Sequence, residues 1–284
     1  MTGTVLVTGA SRGLGLATAV AFAEAGHQVF ATMRDPAKAP EALESRTDVE
    51  VLRLDVTDPT TVAAAIDRVR VSTGDVPDVL VNNAAVGVIS ALEELQPDEL
   101  RDVLETNVVG VFETCRRVVP GMRARGSGRI VNIGSIGGRV ATPGLGSYST
   151  SKFALVGLTT TLRRELRQRG IDVVLIEPGA VRTDLIGPGR SFGRAAWRTS
   201  SGPYQAIYQR LATLMQSSFE TMGMTPEELA RRIVRAATCK RPRARYVIGA
   251  DARALAWFQR MGDGALQDGL LERSFATLMG RASG

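Results

Sequence analysis

The chain has 284 residues, of which 44% are hydrophobic, enough for one sizeable core at the upper end of single-domain length. Its formal net charge is +6, but the basic residues are spread widely and indicate solvated helix faces rather than a nucleic-acid surface. No apolar run approaches the roughly 20 residues that cross a bilayer, and the N-terminus lacks the regions of a secretory signal. Two cysteines and one histidine give no disulfide framework and no metal-ligand spacing. We therefore expect a cytoplasmic protein without a metal, an integral membrane segment or a nucleic-acid partner.

Strands and helices are predicted to alternate from the N-terminus to Pro178. Apolar strands are predicted at 4–7, 27–33, 49–54, 79–81, 129–133 and 171–176, and helices at 14–25, 60–71, 98–125 and 148–169. Apolar strands that alternate with helices are typical of a parallel sheet covered on both faces. Right-handed crossovers then predict an α/β fold with a doubly wound, Rossmann-like parallel sheet.

The alternation fades beyond Pro178. Residues 185–224 are rich in Gly, Pro, Ser and Arg up to Gly202, and we interpret them as a loop that closes over a substrate. A helix at 226–238 and a strand at 245–249 follow, then helices at 255–258 and 264–279 in a C-terminal helical extension, 250–284. Because no composition break or internal repeat is present, we predict a single domain over 1–284.

A glycine-rich turn, Thr8-Gly9-Ala10-Ser11-Arg12-Gly13-Leu14-Gly15, follows the first strand and opens the first helix. Glycines there allow a tight turn and a close approach of the backbone to a pyrophosphate, while the helix N-terminus offers free N–H groups. Glycine also serves packing alone in such turns, but the position between strand and helix favours dinucleotide binding. The residues predicted to contact the dinucleotide are Gly9, Ser11, Arg12, Gly13, Leu14 and Gly15.

The end of the second strand bears on which dinucleotide is bound. An acid for the ribose hydroxyls of NAD usually stands there, but this strand ends in Met33, followed by Arg34. Arginine is permanently charged and suited to phosphate, and Arg12 could hold the same 2′-phosphate from the glycine-rich turn. The sequence therefore favours NADP(H). Asp35 is the counter-argument, because it could pair with Arg34 or hold a ribose instead.

Tyr148 and Lys152 stand four residues apart on a predicted helix, so their side chains share one face. An ammonium beside a phenol favours the phenolate, so Lys152 is predicted to lower the Tyr148 pKa. A tyrosine tuned in this way can exchange a proton with a carbonyl oxygen. Ser135, thirteen residues earlier, could donate a hydrogen bond to that oxygen. Each residue alone also suits a structural role, but their order behind a phosphate turn favours catalysis.

In this combination the chain resembles the short-chain dehydrogenases/reductases from about Thr4 to Thr183. The family's motif residues match the glycine-rich turn, Ser135, Tyr148 and Lys152, and further positions that imply cofactor contacts by Asp55, Val56, Asn82, Ala84, Pro178, Gly179, Val181 and Thr183. Asn107 matches the family's helix asparagine, which implies that it holds a water near Lys152 in a proton relay. One departure is Ala85, which replaces the last glycine of an Asn-Asn-Ala-Gly element.

The resemblance implies an NADP(H)-dependent enzyme that interconverts a ketone and a secondary alcohol. The match is strongest to the branch with hydroxysteroid and retinol dehydrogenases and bacterial ketoreductases. Loop residues then suit a hydrophobic or polycyclic carbonyl or alcohol substrate, among them Val86, Val88, Ile89, Ile136, Val140, Leu145, Leu185, Ile186, Phe192 and Trp197. A homodimer or homotetramer is also implied, with apolar positions on the long helices at Val108, Val111, Phe112, Val118 and Val119. The alternative is a non-catalytic NADP(H)-binding regulatory protein.

Overall fold

The computed structural model describes residues 3–182 and 223–259, together with single positions at Tyr204, Gln205, Tyr208, Gln209, Leu211, Thr213, Gly269, Glu272 and Arg273. Most of the predicted substrate loop and of the helix predicted at 264–279 therefore lies outside the described residues. Thr183, Leu185, Ile186, Phe192 and Trp197 are among the predicted site residues that fall there.

Within the described residues, seven strands form one sheet in which every neighbouring pair is parallel. The strands are β1 Thr4–Val7, β2 Gln28–Met33, β3 Val49–Arg53, β4 Val79–Asn82, β5 Gly128–Ile133, β6 Ile171–Pro178 and β7 Arg245–Ile248. Their order across the sheet is β3-β2-β1-β4-β5-β6-β7. This order confirms the predicted doubly wound fold, with β1 and β4 adjacent where the winding reverses.

Helices cover both faces of the sheet. They are α1 Gly13–Glu24, α2 Glu41–Glu44, α3 Pro59–Thr73, α4 Pro97–Leu104, α5 Gly110–Arg125, α6 Gly146–Leu166, α7 Pro226–Thr238 and α8 Ala250–Phe258. Successive residues of β1 face opposite sides, so Val5 and Val7 join a core cluster with α1 and α7, whereas Leu6 packs with α3, α5 and α6. The strands are apolar on both faces for this reason.

Local signals set several of the element ends. Asp58 Oδ1 accepts a hydrogen bond from the Thr60 backbone N–H at 2.9 Å and caps α3, as the Asp58-Pro59 pair predicts. Gly74 ends the same helix with φ of +86°. The strand predicted at 245–249 stops one residue earlier, because Gly249 leaves the extended conformation with φ of +117°. The helix predicted at 255–258 is longer and begins at Ala250.

The long helix predicted at 98–125 is one helical stretch with a change of register inside it. Between α4 and α5, residues Glu105–Val109 form a π-helical turn. On α5, Val111 and Val118 pack into the core rather than toward a neighbouring subunit, which corrects their assignment to a dimer face. Phe112 remains 47% exposed on that helix. No helix among the described residues combines the length and apolar character that crossing a bilayer requires.

Candidate active site

A cavity of about 870 Å³ lies at the carboxyl ends of β1, β2, β4, β5 and β6. The crevice beyond these strand ends is where open α/β sheets bind ligands. Most of the predicted site residues line it, namely Gly9, Ser11, Arg12, Gly13, Leu14, Gly15, Arg34, Asp55, Val56, Ala84, Ser135, Tyr148, Lys152, Pro178, Gly179 and Val181. We call the part formed by the glycine-rich turn and the ends of β2 and β3 the glycine-turn end. The part formed by the ends of β5 and β6 is the Tyr148 end.

The glycine-rich turn is held in place by the residues after β4. Thr8 Oγ1 accepts hydrogen bonds from the backbone N–H groups of Asn83 and Ala84, both at 3.0 Å. Asn83 Nδ2 donates to the carbonyl oxygens of Thr8 at 2.9 Å and Gly9 at 3.2 Å. A Cβ atom on Gly15 would stand 2.1 Å from the Gly9 carbonyl oxygen, so close packing of this turn requires glycine there.

The N-terminus of α1 has the properties of an anion site. No described side chain caps the helix, and its first turn carries no acidic residue. The first N–H groups of a helix lack intrahelical partners and lie at the positive end of its dipole. Since Gly13, Leu14 and Gly15 of this turn line the cavity, the residues present fit the pyrophosphate of a dinucleotide.

Two arginines line the glycine-turn end, and the described residues offer neither of them an ion-pair partner. Arg12 and Arg34 are exposed, and neither forms an ion pair with another residue in the described part of the chain. Asp35 turns away from them, because its Oδ2 atom contacts Lys38 Nζ at 3.0 Å and its Oδ1 atom accepts from the Ala37 N–H. The hydrogen bond with Lys38 lowers the Asp35 pKa. Of the roles left open for Asp35, pairing with Arg34 is therefore not seen.

The loop after β3 supplies another wall of this end. Asp55 accepts hydrogen bonds at Oδ1 from the Thr57 backbone N–H at 3.0 Å and from Thr57 Oγ1 at 2.8 Å. Thr61 Oγ1 accepts from the Asp55 N–H at 3.0 Å and ties the loop to α3. These contacts fix Asp55 and Val56 at the cavity surface, where the resemblance predicts adenine contacts.

Asn82 is placed differently from the other predicted cofactor residues, and its contact with the cofactor stays a prediction. Asn82 does not line the cavity, and its side chain is buried in the sheet. It donates to Asn132 Oδ1 at 2.9 Å and accepts from Thr114 Oγ1 at 2.7 Å. Because β4 ends at Asn82, the next residue, Asn83, faces the glycine-rich turn. Ala85 also lines the cavity, and no described residue other than glycine has a positive φ, so alanine fits there without backbone strain.

At the Tyr148 end, the predicted catalytic side chains come together. Tyr148 and Lys152 are buried on α6, with Lys152 Nζ 5.4 Å from the centre of the Tyr148 ring. Ser135, two residues after the end of β5, lies beside Tyr148, since a Cβ atom on Gly137 would stand 3.4 Å from Ser135 Oγ and 3.5 Å from Tyr148 Cε1. Ser135 Oγ also accepts from the Gly137 N–H at 3.0 Å, which holds the serine in a short helical turn, Ile136–Gly138.

The protonation of this pair differs from the prediction. Burial raises the Tyr148 pKa, and the Ser135 hydroxyl group opposes that rise. The Lys152 ammonium group donates to the Ile133 carbonyl oxygen at 2.9 Å rather than to the phenol, so burial dominates the Tyr148 pKa, opposite to the predicted direction. Burial lowers the Lys152 pKa to about 8, so this side chain carries its charge at neutral pH.

Asn107 lies in the π-helical turn behind Lys152 rather than on the cavity surface. Its Oδ1 atom accepts from the Val86 N–H at 2.8 Å, and its Nδ2 atom donates to the Val86 carbonyl oxygen at 2.8 Å and to Ser151 Oγ at 2.9 Å. The side chain thus joins the loop after β4 to α6. Its predicted part in a water relay stays a prediction.

The described walls around Tyr148 are partly apolar. Of the predicted substrate residues, Val86, Ile136 and Leu145 line the cavity. Ile89 is instead buried in a cluster with Tyr148, Tyr208 and Leu211. Tyr208 was not among the predicted site residues. Its hydroxyl group donates to Glu94 Oε2 at 2.5 Å and accepts from the Ala91 N–H at 2.8 Å. No motif surrounds it that would have identified it.

The cavity wall formed by Gly179–Val181 is held by hydrogen bonds to residues near the start of α8. Asp251, in the first turn of α8, accepts from the Ala180 N–H at 2.7 Å. The Gly179 N–H donates to the Ile248 carbonyl oxygen at 2.9 Å. A Cβ atom on Gly179 would stand 2.0 Å from Asp251 Oδ2, so glycine allows this contact. Asp251 was also missed from the sequence, since it lies 71 residues from its partner.

The family model described as short chain dehydrogenase matches residues 3–191 of the chain. Human 17-beta-hydroxysteroid dehydrogenase type 1 is 38% identical over 253 residues, which cover 85% of this chain and 76% of that protein. A 3-ketodihydrosphingosine reductase from Bacteroides thetaiotaomicron is 34% identical over 245 residues, which cover 86% of this chain and 87% of that protein.

Solved structures agree with these relatives. A short-chain dehydrogenase from Streptomyces avermitilis has a TM-score of 0.80 at 34% identity, covering 98% of this chain and 94% of that one. A short chain dehydrogenase from Burkholderia cenocepacia in complex with NADP has a TM-score of 0.74 at 26% identity, covering 95% and 98%. A 3-ketoacyl-(acyl-carrier-protein) reductase from Brucella melitensis complexed with NADH has a TM-score of 0.74 at 25% identity, covering 88% and 97%. Because the family model and these relatives each span well over half of the sequence, the chain belongs to the short-chain dehydrogenase family of nicotinamide-dependent oxidoreductases.

Proposed function

We propose that this oxidoreductase uses NADP(H) to interconvert a ketone and a secondary alcohol on a hydrophobic substrate, with Tyr148 as general acid and base. The observation that carries the proposal is the sharing of one cavity by the uncapped N-terminus of α1 and the Ser135, Tyr148 and Lys152 side chains. A dinucleotide held at the glycine-turn end would extend toward these side chains at the other end.

In the proposed reaction the cofactor transfers the hydride, and Tyr148, Ser135 and Lys152 handle the proton and the charge on the substrate oxygen. When bound, the reduced cofactor supplies a hydride to the carbonyl carbon. Tyr148 donates its hydroxyl proton to the carbonyl oxygen as that oxygen gains charge, and in the reverse direction its phenolate accepts the proton from the alcohol. Ser135 donates a hydrogen bond to the same oxygen and orients it toward Tyr148. Lys152, charged at neutral pH, favours the phenolate that remains after the transfer.

The preference for NADP(H) rests on Arg12 and Arg34. Both line the glycine-turn end, and neither is neutralised by a carboxylate within the described residues. A 2′-phosphate would supply the anion that these guanidinium groups lack. Asp35 contacts Lys38 instead and does not line the cavity, so no acid is placed for a ribose 2′-hydroxyl group. The family includes structures with either NADP or NADH, so the arginines are the basis of the choice.

A hydrophobic substrate is supported by the apolar residues of the cavity wall and by the relatives. Val86, Ile136 and Leu145 line the same cavity as Tyr148, and Leu145 packs against the Tyr148 cluster. Two of the relatives are named for their action on hydroxysteroids and on 3-ketodihydrosphingosine, both largely apolar molecules. We further propose a homodimer or homotetramer, since Phe112 on α5 and Phe153 on α6 are 47% and 46% exposed on the two long helices.

The test is consumption of reduced cofactor with a panel of apolar ketones that includes steroid, long-chain 3-keto and quinone compounds. NADPH is expected to be oxidised with at least one of them, and NADH more slowly. Equal or faster turnover with NADH would contradict the role of Arg12 and Arg34. Tight NADPH binding without turnover on any ketone or alcohol would instead support a non-catalytic regulator.

A further inference from the structure

A carboxylate that the proposed chemistry does not use lies buried beside the cavity. Glu177, the residue before Pro178 in β6, is fully buried and accepts from two guanidinium groups. Arg139 Nε and Nη2 donate to its two oxygen atoms at 2.9 and 2.8 Å. Arg245 Nε donates to Oε2 at 2.8 Å, and Arg245 Nη2 donates to Oε1. We call Arg139, Glu177 and Arg245 the Glu177 triad.

The triad joins segments that form the Tyr148 end. Glu177 directly precedes Pro178 and Gly179, which line the cavity. Arg139 directly follows Ile136–Gly138, the turn that Ser135 opens. The backbone of this turn already bonds to Ser135, because the Ser135 carbonyl oxygen accepts from the Gly138 N–H at 3.0 Å. The side chain of Arg139 therefore connects the turn that holds Ser135 to the strand end beside it.

Arg139 is fixed at its backbone as well as at its guanidinium group. Its N–H donates to the Ile136 carbonyl oxygen at 2.9 Å. Its own carbonyl oxygen accepts a hydrogen bond at 2.5 Å from Nε2 of Gln259, the residue directly after α8. Arg139 therefore holds the Ser135 turn in place through two contacts, one from its guanidinium group to Glu177 and one from its carbonyl oxygen to Gln259.

Stability alone does not account for such a group. Moving a carboxylate out of water is costly, and replacing a buried ion pair with apolar residues of similar volume is often neutral or stabilising. What a forked arginine-carboxylate contact adds is a defined geometry, because two parallel hydrogen bonds fix both distance and orientation. The triad provides this geometry where the proposed reaction needs it, one turn away from Ser135.

We propose that Arg139 is a positioning residue that, through its forked contact with Glu177, holds the Ser135 turn in the orientation that the proposed reaction requires. This inference rests on the proposed function. It assigns no contact with substrate to Arg139; the residue acts through Ser135 and, by way of the Ser135 hydroxyl group, on Tyr148.

The consequence is a pH effect that loss of stability alone does not produce. The Ser135 hydroxyl group, beside the Tyr148 ring, holds the Tyr148 pKa below the value that burial would give it. The other titratable groups beside Tyr148 are Lys152 on α6 and Tyr208 in the same apolar cluster. If the Ser135 turn loosens, the Tyr148 pKa rises, and alcohol oxidation, which needs the phenolate, requires a higher pH.

The experiment compares Arg139→Lys with Arg129→Lys. Lysine keeps the positive charge but cannot form a forked contact. Arg129 is a matched control, because it pairs with Asp172 between the starts of β5 and β6, at the opposite end of the strands from the cavity, which it does not line. The two arginine side chains are similarly buried, 13% exposed for Arg129 and 19% for Arg139.

For Arg139→Lys we expect kcat/KM to fall by roughly 10- to 100-fold, the size of effect that a small misplacement of a reacting group produces. Its pH profile for alcohol oxidation should shift to higher pH, toward the profile of Ser135→Ala. Arg129→Lys should keep the wild-type profile. Amide hydrogen exchange over residues 134–140 should be faster in Arg139→Lys than in the wild type, and unchanged in Arg129→Lys.

The outcomes separate the two proposals. Wild-type protein without turnover on any ketone or alcohol would overturn the proposed function, while hydrogen exchange would still test the positioning of the turn. Arg139→Lys with wild-type exchange at 134–140 and an unshifted pH profile would overturn the positioning role and leave the proposed function intact. A shift of equal size in both lysine variants would also overturn it.

Discussion

Two pairs of arginines lie near one cavity, one pair lining it and the other behind its wall, and the two pairs differ in their partners. Arg12 and Arg34, at the glycine-turn end, are exposed and have no ion-pair partner among the residues that the structure describes. Arg139 and Arg245, behind the Tyr148 end, converge on the fully buried Glu177. The difference separates two uses of the same side chain. A guanidinium group without an internal partner is available to an anionic ligand, whereas one bound to a buried carboxylate fixes the protein's own geometry.

The difference follows from where each pair lies in the sheet. Arg12 and Arg34 follow β1 and β2, on the side where the strand ends open into the glycine-rich turn. Arg139 follows the short turn after β5, Arg245 is the first residue of β7, and the two side chains meet at Glu177 near the end of β6. A carboxylate bound to Arg12 and Arg34 would compete with a phosphate of the cofactor. Without Glu177, the charges of Arg139 and Arg245 would lie unpaired beside the reacting groups.

The largest effect is expected from Tyr148→Phe, which changes neither pair of arginines. Loss of the hydroxyl group removes the proton donor, and general acid catalysis contributes about 10²- to 10⁴-fold. We expect kcat to fall by that factor while the affinity for NADPH stays within about twofold of wild type, since both pairs remain. Steady-state rates and the fluorescence of bound NADPH measure the two quantities.

Tyr246→Phe is the matched control. Tyr246 lies in β7 and does not line the cavity, and its hydroxyl group accepts from the Arg243 N–H. It should retain wild-type turnover. If Tyr148→Phe also retained it, Tyr148 would not be the proton donor.

The second prediction compares how much the Glu177 triad and the exposed arginines, Arg12 and Arg34, contribute to the free energy of unfolding. Glu177→Ala leaves two guanidinium groups facing each other without their carboxylate, and loss of one member of a buried ion pair costs about 3 kcal/mol in free energy of unfolding. Arg12→Ala and Arg34→Ala remove exposed charges and should change it by less than about 0.5 kcal/mol. Denaturant titrations of the three variants test this. Equal effects would mean that the glycine-turn arginines also have a structural role.

The local parts of this arrangement could be predicted from sequence. The apolar strands, the Asp58-Pro59 helix start and the glycine-rich turn each depend on neighbouring residues, and the structure confirms them. The exact residue that faces the cavity was harder to predict. Asn82 and Asn83 are adjacent, and only the end of β4 decides that the first points into the sheet and the second toward Thr8.

The Glu177 triad could not be predicted, because its members lie 38 and 68 residues apart and meet only when β6 and β7 pair. A weak signal was present: an acid at the end of the apolar run 173–176, just before Pro178, where burial requires a partner. The pKa of Tyr148 escaped prediction for a similar reason. The helical spacing places Lys152 near the phenol, but the Ile133 carbonyl oxygen that takes up its hydrogen bond comes from another element.

The third prediction concerns cofactor choice. Arg34→Gln and Arg12→Gln each remove a charged hydrogen bond to the proposed 2′-phosphate, worth about 1.5 kcal/mol, or about tenfold in affinity. The Kd for NADPH should rise by that factor, and the Kd for NADH should stay the same. Arg53→Gln is the control, since Arg53 ends β3 and is exposed but does not line the cavity. If all three variants weakened NADPH binding equally, general electrostatic attraction would explain the preference.

The smallest effect is expected from Asp35→Asn, which tests whether an acid beside Arg34 limits the preference for NADP(H). In the structure this carboxylate contacts Lys38 Nζ and the Ala37 N–H and does not line the cavity. Removing its charge should therefore change the ratio of NADPH to NADH affinity by less than about twofold, because an exposed ion pair contributes little. A tenfold gain in NADPH affinity with a matching loss for NADH would show that Asp35 faces the ribose when cofactor is bound. Arg12 and Arg34 would then have a carboxylate near them that repels the 2′-phosphate. The two pairs of arginines would differ only in how strongly a carboxylate of the protein binds them.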